Sequence, residues 1–287
     1  MKASRKAGST AVALCLLASI AAMPAMAAAS NTSKSRANPD VRSHAFYVLD
    51  ESSSSVLAAR NERVPVPIAS ITKLMTALVV LEAGQPMDEK LSITQADVRG
   101  TAGGTSRLAP GARLSRKDLL HLALMSSENR AAHALCRNYS GGLQACVKAM
   151  NGKAKSLGMK SARFVEPTGL SSSNVASPED LAKLVLAAAD NKTIREYSTD
   201  PDHTVYVNRQ PLEFRNTNVL VKNPSWDVTV QKTGYISEAG RCLVMQAVID
   251  RRNVVIVLLN SWGKLTRIGD ANRIRNWMES QRVAKAG

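Results

Sequence analysis

Apolar runs near the two ends of the chain predict the strands of a β-sheet. Residues 44–50 and 56–61 are apolar runs on either side of the polar stretch 51–55, an arrangement typical of a β-hairpin. Near the other end, runs rich in β-branched residues are separated by short polar turns, as expected for successive strands. These three predicted strands cover residues 228–236, 241–250 and 253–261.

Between these ends the apolar residues recur with the period of an α-helix. Leu74, Ala77, Leu78 and Leu81 lie at helical spacing, which predicts a helix beginning near Ser70. Some of the later helices carry start signals, such as a serine cap or a Ser-Pro-Glu sequence. These helices are predicted at residues 115–125, 128–139, 145–159, 177–190 and about 270–281.

This order of elements predicts an α/β (α+β) fold in a single domain over residues 43–287. The strands from both ends bury their apolar residues most simply in one antiparallel five-stranded sheet flanked by helices. The middle helices, at about 80–195, form an all-helical lobe against that sheet. We expect a functional site in the cleft between the lobe and the sheet.

The start of the chain has the features of an export signal. Basic residues within the first six precede an apolar stretch at 11–22, and Ala-Met-Ala at 25–27 offers small residues to a signal peptidase. The apolar stretch is too short to span a bilayer permanently. We therefore predict a signal peptide at 1–27, a polar, disordered lead-in at 28–42 and a mature protein in the periplasm.

The mature chain is strongly basic. Loss of the signal peptide removes three basic residues and no acidic ones, which lowers the formal net charge from +15 to +12. In a cytosolic protein this charge would suggest nucleic acid. After export we expect anionic wall polymers or lipid head groups as partners and no nucleic acid, and a peripheral membrane association stays open. The alternative is a basic surface that only keeps the protein soluble.

Cysteine and histidine residues do not indicate thiol or metal chemistry. Cys136 and Cys146 flank a Gly141-Gly142 turn and can form a disulfide in an oxidising compartment, whereas Cys242 lies in a strand-like apolar run. The four histidines form no arrangement that is typical of a cysteine nucleophile or of zinc. No metal and no cofactor is predicted.

Ser70 and Lys73 form the first candidate catalytic pair. Residues three apart share a helix face, so the lysine amine can reach the serine hydroxyl and act as its base. The same spacing occurs at Ser261 and Lys264, so spacing alone does not identify a nucleophile. The second pair ends a strand, contains a glycine and has no downstream partners, which makes Ser70 the better candidate.

A second candidate element, Ser-Glu-Asn, occupies residues 127–129 between two predicted helices. Ser127 can relay a proton between the nucleophile and a leaving nitrogen. The amide of Asn129 can hold either Lys73 or a substrate carbonyl. Taken singly, Ser127 and Ser70 are also ordinary N-cap residues, which is the commonest role of a serine ahead of a helix.

The third element, Lys232-Thr233-Gly234, is the least expected by chance and lies on the first of the three closing strands. Lys232 supplies positive potential and Thr233 a hydroxyl, and both suit a substrate carboxylate. Gly234 lets the strand approach closely, since a side chain there would block substrate. The backbone N–H groups of Ser70 and Tyr235 can form an oxyanion hole. Taken alone, Lys232 is also an ordinary strand lysine that faces water.

The ordered trio resembles that of the low-molecular-mass serine DD-peptidases among the penicillin-binding proteins, with Ser-x-x-Lys, Ser-Asp-Asn and Lys-Thr-Gly. The similarity covers about residues 43–281, and Glu128 in place of the middle Asp is a departure. Further matching segments are SRLAPG (106–111), DLLHLALMSSENRAA, EPTGLS, NTNVL and KTGYISEAGRCLV. The resemblance implies a β-lactamase/transpeptidase-like fold, acylation of Ser70 by a D-alanyl carbonyl, and covalent inhibition by β-lactams.

Within that family, the resemblance favours a DD-endopeptidase that hydrolyses D-alanyl-diaminopimelyl cross-links of peptidoglycan. The alternative is a D-alanyl-D-alanine carboxypeptidase, whose better-known members continue into a further β-rich domain, whereas this sequence stops at Gly287. A class A-like β-lactamase would place x-x-Leu-Asn after its glutamate, and here Pro-Thr-Gly-Leu follows Glu166. A catalytically inactive wall-binding module would not need the intact trio.

Overall fold

The computed structural model describes residues 38–286, with side chains up to residue 281. The predicted signal peptide (1–27) and residues 28–37 of the predicted lead-in lie outside the described residues. The remainder of the lead-in, which was predicted to be disordered, is packed: Val41 is 4 % exposed, and the Arg42 N–H donates to Asp270 Oδ1 at 2.9 Å. The packed chain therefore begins before the predicted boundary at 43.

The elements of residues 38–286 are numbered in chain order. The strands are β1 (Ala45–Asp50), β2 (Ser55–Arg60), β3 (Val66–Pro67), β4 (Lys90–Ser92), β5 (Arg113–Ser115), β6 (Val175–Ala176), β7 (Asp202–Val207), β8 (Gln210–Arg215), β9 (Asp227–Ile236), β10 (Gly240–Ile249) and β11 (Arg252–Ser261). The α-helices are α1 (Thr72–Glu82), α2 (Gln95–Gly100), α3 (Arg116–Met125), α4 (Asn129–Arg137), α5 (Gly142–Ser156), α6 (Pro178–Ala189), α7 (Lys192–Thr199) and α8 (Thr266–Ala286). Single 3₁₀ turns occupy Ala69–Ile71 and Val219–Lys222.

Five antiparallel strands form the central sheet, in the order β2-β1-β11-β10-β9. β1 and β2 are the predicted hairpin, and β9, β10 and β11 are the predicted closing strands. Because β1 pairs with β11, from Ala45 opposite Leu259 to Asp50 opposite Val254, strands from the two ends of the domain meet in the middle of the sheet. The predicted α/β fold with a five-stranded antiparallel sheet is confirmed.

Both faces of the sheet are buried, which explains why β11 is apolar at almost every position. Successive side chains of a strand point to opposite faces, so alternate residues of β11 enter two different cores. The larger core, shared with α1, α3 and α6, receives Val255, Val257 and Leu259. The smaller core, shared with Ala271, Ile274 and Met278 of α8, receives Val254, Ile256 and Leu258.

Helix α1 lies at the centre of the helical layer. Its residues from Thr72 to Val80 are all buried, and it contacts α3, α4, α5 and α6. Helix α6 packs against β1, β10 and β11, although the sequence placed it in the helical lobe at 80–195. The apolar face of α6, which includes Leu181 and Leu184, covers the sheet, so this helix belongs to both layers.

A disulfide joins α4 to α5. Cys136 and Cys146 are bonded across the turn between these helices, with their Cα atoms 5.4 Å apart. This pairing is the one that the sequence allowed. Cys242 is buried on β10 and is free.

The hairpin of β7 and β8 was not predicted. Its turn residues, Asn208 and Arg209, both have positive φ angles, of 51° and 66°. A two-residue hairpin turn with this backbone usually carries Asn-Gly, because glycine adopts positive φ without strain. Because arginine occupies the second position, the sequence does not indicate a hairpin turn here.

Candidate active site

Ser70 lies in the 3₁₀ turn that leads into α1, and α1 begins at Thr72, two residues after the predicted start of the helix near Ser70. The capping positions of this turn and of α1 are Ile68 and Ile71, and neither makes a side-chain capping bond. Ala69 has a φ of 48°, which is unusual for a residue other than glycine. The reading of Ser70 as a plain helix cap is therefore wrong.

The amine of Lys73 reaches Ser70 and two further oxygens. Its Nζ lies 2.8 Å from Ser70 Oγ, 2.8 Å from Asn129 Oδ1 and 2.7 Å from the Thr168 carbonyl oxygen. A protonated amine donates to all three oxygens. A neutral amine donates to Asn129 and Thr168 and has its lone pair free to accept the Ser70 hydroxyl proton. The geometry thus accommodates both protonation states without leaving a buried donor unpaired.

Burial also changes the acidity of this amine. Lys73 is 1 % exposed, and desolvation lowers its pKa to about 7, even though the carboxylates of Glu166 and Glu128 act in the opposite direction. At neutral pH a large fraction of Lys73 is therefore unprotonated, unlike a lysine in water. Ser70 and Lys73 can therefore supply a hydroxyl nucleophile together with its base.

Ser127 stands at the junction of α3 and α4 and has a φ of 62°. The N-cap of α4 is Glu128, whose side chain accepts from the Arg130 N–H, so the reading of Ser127 as the cap is wrong. Asn129 begins α4, and its Nδ2 donates to the Thr105 carbonyl at 3.0 Å while its Oδ1 accepts from Lys73. These two bonds fix the orientation of the amide.

Lys232 is fully buried on β9, so the reading of a strand lysine that faces water is wrong. Desolvation, together with the positive charges of Lys73 and Arg267, lowers the pKa of Lys232 well below its ordinary value. Its Nζ donates to the Thr233 carbonyl at 3.0 Å. The Thr233 hydroxyl lies 2.6 Å from the hydroxyl of Thr217.

Gly234 brings β9 against the Ser70 turn. A Cβ at this position would lie 3.0 Å from the Ser70 backbone nitrogen and 3.0 Å from Ala69 Cβ, closer than side chains normally pack. The predicted close approach of the strand at this glycine is therefore present, while the prediction that a side chain here would block substrate stays a prediction. Gly169, with a φ of 84°, also packs closely against the Ser70 turn, since a Cβ on Gly169 would overlap the Ala69 carbonyl oxygen.

The turn around Gly169 is held by Glu166. The Glu166 carboxylate accepts from the Thr168 and Gly169 N–H groups at 2.6 and 2.7 Å, from the Thr168 hydroxyl at 2.6 Å and from Asn174 Nδ2 at 2.9 Å. These bonds place the Thr168 carbonyl that Lys73 contacts. Glu166 thus orders a loop, and a carboxylate engaged by this many donors is poorly suited to activate a water, as a β-lactamase requires.

The rival pair, Ser261 and Lys264, has a different environment. Ser261 is buried, and its hydroxyl lies 2.7 Å from Ser43 Oγ, which in turn donates to Asp270. Lys264 is exposed in the loop before α8. Ser261 therefore belongs to the network that fastens the start of the domain to α8.

A cleft of about 650 Å³ brings the predicted residues together. Six of the eight predicted site residues line it, namely Ser70, Ser127, Asn129, Thr233, Gly234 and Tyr235. Lys73 and Lys232 are buried in its wall. The lining residues that were not predicted as site residues include Thr217 and Arg267. Thr217 lies within the quoted NTNVL segment, whereas nothing in the sequence pattern marks Arg267.

Arg267 adds a guanidinium group to the cleft. Its Nε is buried and has no hydrogen-bond partner within residues 38–286. Desolvation and the nearby Arg241 lower its pKa. A guanidinium at the cleft wall favours an acidic ligand group. In the part of the chain that the structure describes, no group of three or more His, Cys, Asp or Glu side chains is placed to hold a metal ion.

Comparisons with known proteins identify close relatives. The sequence matches the D-alanyl-D-alanine carboxypeptidase family over residues 32–263. It is 48 % identical over 247 residues to a D-alanyl-D-alanine endopeptidase of Pseudomonas aeruginosa, which covers 85 % of this chain and 79 % of that protein. It is 42 % identical over 272 residues to a D-alanyl-D-alanine endopeptidase of Escherichia coli, with coverage of 94 % and 88 %.

The fold is also similar to a solved structure. The Streptomyces K15 DD-transpeptidase aligns with a TM-score of 0.77 and 27 % identity, over 84 % of this chain and 98 % of that chain. The predicted transpeptidase-like fold and the predicted family resemblance are both confirmed. The chain belongs to the D-alanyl-D-alanine carboxypeptidase family of serine peptidases.

Proposed function

We propose that this protein is a serine DD-endopeptidase that hydrolyses D-alanyl-diaminopimelyl cross-links in peptidoglycan through an acyl-enzyme on Ser70. The observation that carries the proposal is the buried Lys73 amine, 2.8 Å from Ser70 Oγ and with a pKa of about 7. The endopeptidase names of the Pseudomonas and Escherichia relatives support this branch of the family.

In the proposed first step, neutral Lys73 accepts the Ser70 proton as Oγ attacks the D-alanyl carbonyl carbon. The backbone N–H groups of Ser70 and Tyr235 stabilise the developing oxyanion. When the tetrahedral intermediate collapses, the C–N bond breaks and the leaving amine takes a proton that Ser127 relays from Lys73. A water then attacks the carbonyl carbon of the Ser70 ester and gives a proton to Lys73. The C–Oγ bond breaks, Lys73 returns that proton to Ser70 Oγ, and the D-alanyl acid leaves and ionises to its carboxylate.

Asn129 and the residues of β9 position the reactants in this scheme. Asn129 holds the Lys73 amine, and its amide is itself held by Thr105. Thr233, which lines the cleft, receives the carboxylate next to the scissile bond, and the adjacent buried Lys232 supplies positive potential. Arg267 adds a guanidinium on the same cleft. In a cross-link, the D-alanyl carbonyl is bonded to the amine at the D-centre of a diamino acid, and the carboxylate at that centre is free. A cross-link therefore presents a carboxylate next to its scissile bond, as the free D-alanyl-D-alanine end of a stem does.

The alternative is a D-alanyl-D-alanine carboxypeptidase, which uses the same chemistry and is the name that the matched family carries. A class A-like β-lactamase is less consistent with the site, because Glu166 is engaged by four side-chain and backbone donors of its own loop. β-Lactams are therefore expected to acylate Ser70 and to leave slowly.

We place this activity in the periplasm, following the predicted signal peptide at 1–27 and the wall substrate. Among residues 38–286, no helix has the length and apolar character needed to cross a bilayer. Peripheral association with the membrane stays a prediction, and co-sedimentation with anionic vesicles tests it.

Purified cross-linked muropeptide dimers and pentapeptide monomers test the choice of reaction. Chromatography of the products should show dimers split to monomers faster than pentapeptides lose D-alanine. The opposite order, with dimers left intact, would assign the protein as a carboxypeptidase. Ser70→Ala should abolish both reactions and labelling by a fluorescent penicillin, whereas Ser261→Ala should leave the labelled serine unchanged.

A further inference from the structure

The loop between β11 and α8 exposes the two most solvent-accessible large apolar side chains of residues 38–281. Trp262 is 88 % exposed and Leu265 is 70 % exposed. Gly263, with a φ of 75°, forms the tight turn that holds them out. A single exposed apolar residue is ordinary on a protein surface, but an indole and an isobutyl group on one turn form a patch.

This patch adjoins the rim of the cleft. In the sheet, Arg241 of β10 stands opposite Tyr235 of β9 on one side and opposite Ser261 of β11 on the other. Neighbouring strands lie about 4.8 Å apart, and Tyr235 and Ser261 are separated by two such spacings. The backbone of Trp262, the next residue after Ser261, therefore lies roughly 10 Å from the backbone of Tyr235. Tyr235 and Arg267 both line the cleft. We call Tyr235, Arg241, Trp262 and Leu265 the rim surface.

The rim surface is basic as well as aromatic. The Arg241 guanidinium lies over the Tyr235 ring, 4.7 Å from its centre. Lys264 and Arg267 add positive charge on the same loop and helix start, and the nearby acidic group is Glu238 in the β9–β10 turn. Aromatic residues and arginine are enriched where proteins bind partners, and this charge favours an acidic one.

We propose that the rim surface binds the glycan chain of the wall polymer next to the peptide cross-link in the cleft. The apolar face of an amino sugar fits a flat, exposed indole, and the carboxylates of stem peptides on that chain suit Arg241 and Lys264. This inference rests on the proposed function, since it extends the same substrate beyond its scissile bond. A lipid bilayer fits less well, because one lying on Trp262 would cover the cleft that the polymer must enter.

The test compares substrates with and without sugar. Trp262→Ala should reduce cleavage of glycan-bearing cross-linked dimers, and retention on purified sacculi in a Ser70→Ala background, by about tenfold, the loss typical of a central aromatic contact. Cleavage of sugar-free cross-linked peptide dimers and acylation of Ser70 by penicillin should be unchanged, which also shows that the variant folds. Tyr206→Ala is the matched control, because Tyr206 is 67 % exposed on β7 and does not line the cleft.

Other outcomes overturn the inference. Equal losses on sugar-bearing and sugar-free dimers, or no loss on either, would exclude a glycan contact. Retention on anionic vesicles that Trp262→Ala abolishes, with sacculus binding intact, would assign the patch to the membrane. A wild-type dimer in light scattering that the variant lacks would assign it to self-association. If wild type cleaves no dimer at all, the proposed function fails, while retention on sacculi still reports on the rim surface.

Discussion

Burial decides what Lys73 can do. Taking its ammonium out of water lowers the pKa to about 7, and the carboxylates of Glu166 and Glu128 oppose that effect without cancelling it. Asn129 and Thr168 supply oxygens for the two N–H groups that a neutral amine retains. The third hydrogen-bond direction of the Lys73 amine points at Ser70 Oγ. When the ammonium loses the proton in that direction, the nitrogen lone pair faces the nucleophile.

The pH dependence of acylation follows from this arrangement. Because only neutral Lys73 accepts the Ser70 proton, the acylation rate with a penicillin should rise with pH and reach half its plateau near pH 7. Below that point the rate should fall about tenfold per pH unit. Stopped-flow measurements from pH 5 to 9 give the profile. Lys73→Arg, which stays charged, should be inactive throughout, and a flat wild-type profile would contradict the assignment of the base.

Gly234 offers a test of the contact between β9 and the Ser70 turn. In Gly234→Ala, the added methyl lies 3.0 Å from the Ser70 nitrogen, so the turn must shift and acylation should fall by about 10²-fold. Overpacking should also lower the free energy of unfolding by about 1–3 kcal/mol. Gly152→Ala is the control, since a Cβ there meets nothing within 4 Å and alanine favours the helix. Acylation that is equal in both variants would show that the contact is unimportant.

The candidate site was predictable where its residues are close in sequence. The reach of Lys73 to Ser70 follows from a spacing of three, and residues 127–129 and 232–234 are recognisable as short motifs. Thr217 lies in the NTNVL segment, to which no role in the site was assigned, and Arg267 lies in a separate segment that no pattern marks. Their role depends on how β9 and α8 pack, which local sequence does not encode.

Helices α2 and α4 are joined by a buried carboxylate. Asp97 is fully buried and accepts from Arg137 Nε at 2.9 Å, lies 2.8 Å from His133 Nδ1, and accepts from the Thr94 N–H at 2.7 Å. The hydrogen bonds from His133 and Arg137 overcome the effect of burial and hold the pKa of Asp97 well below its ordinary value. The carboxylate therefore stabilises the fold as an anion.

Removing this charge should destabilise the protein in a pH-dependent way. At pH 7, Asp97→Asn should lower the free energy of unfolding by about 3–5 kcal/mol, because Arg137 loses its buried partner. The pKa of Asp97 is lower in the folded protein than in the unfolded chain. The extra stability of wild type over Asp97→Asn is therefore complete above about pH 4 and shrinks as the pH falls toward the folded-state pKa. Urea unfolding at several pH values measures it. Glu196→Gln, which breaks the exposed pair with Lys192, should change stability by under about 0.5 kcal/mol.

The disulfide between α4 and α5 should stabilise the same helical layer. Closing a loop of ten residues restricts the unfolded chain, so replacing Cys136 and Cys146 together by alanine should cost about 2–3 kcal/mol. Thiol titration of the unfolded, unreduced protein without residues 1–27 should find one thiol, that of Cys242. Three thiols would refute the bridge in the exported protein.

The architecture as a whole was predictable because the sheet is made of strands with strong, continuous apolar runs. Both faces of β11 are buried, so its sequence does not alternate, yet its length and β-branched residues still mark a strand. The β7–β8 hairpin was missed because Arg209 takes the usual place of glycine in its turn. The position of α6 across the sheet depends on contacts with four strands, β1, β9, β10 and β11, that are distant from it in sequence.

Charge should act differently at the surface and in the cleft. The mature chain carries a formal net charge of +12, so its retention on the anionic sacculus should weaken steeply between 0.05 and 0.5 M salt, as the screening length falls from about 14 Å to about 4 Å. Lys73 and Lys232 are buried, where salt screens little, so acylation by a penicillin should change less than about twofold over the same range. Pelleting of Ser70→Ala with sacculi and penicillin labelling of wild type measure the two responses. Retention on sacculi that does not change with salt would indicate that contacts such as that of Trp262 dominate binding. If retention and penicillin labelling fall in parallel, salt screens the cleft as it screens the surface.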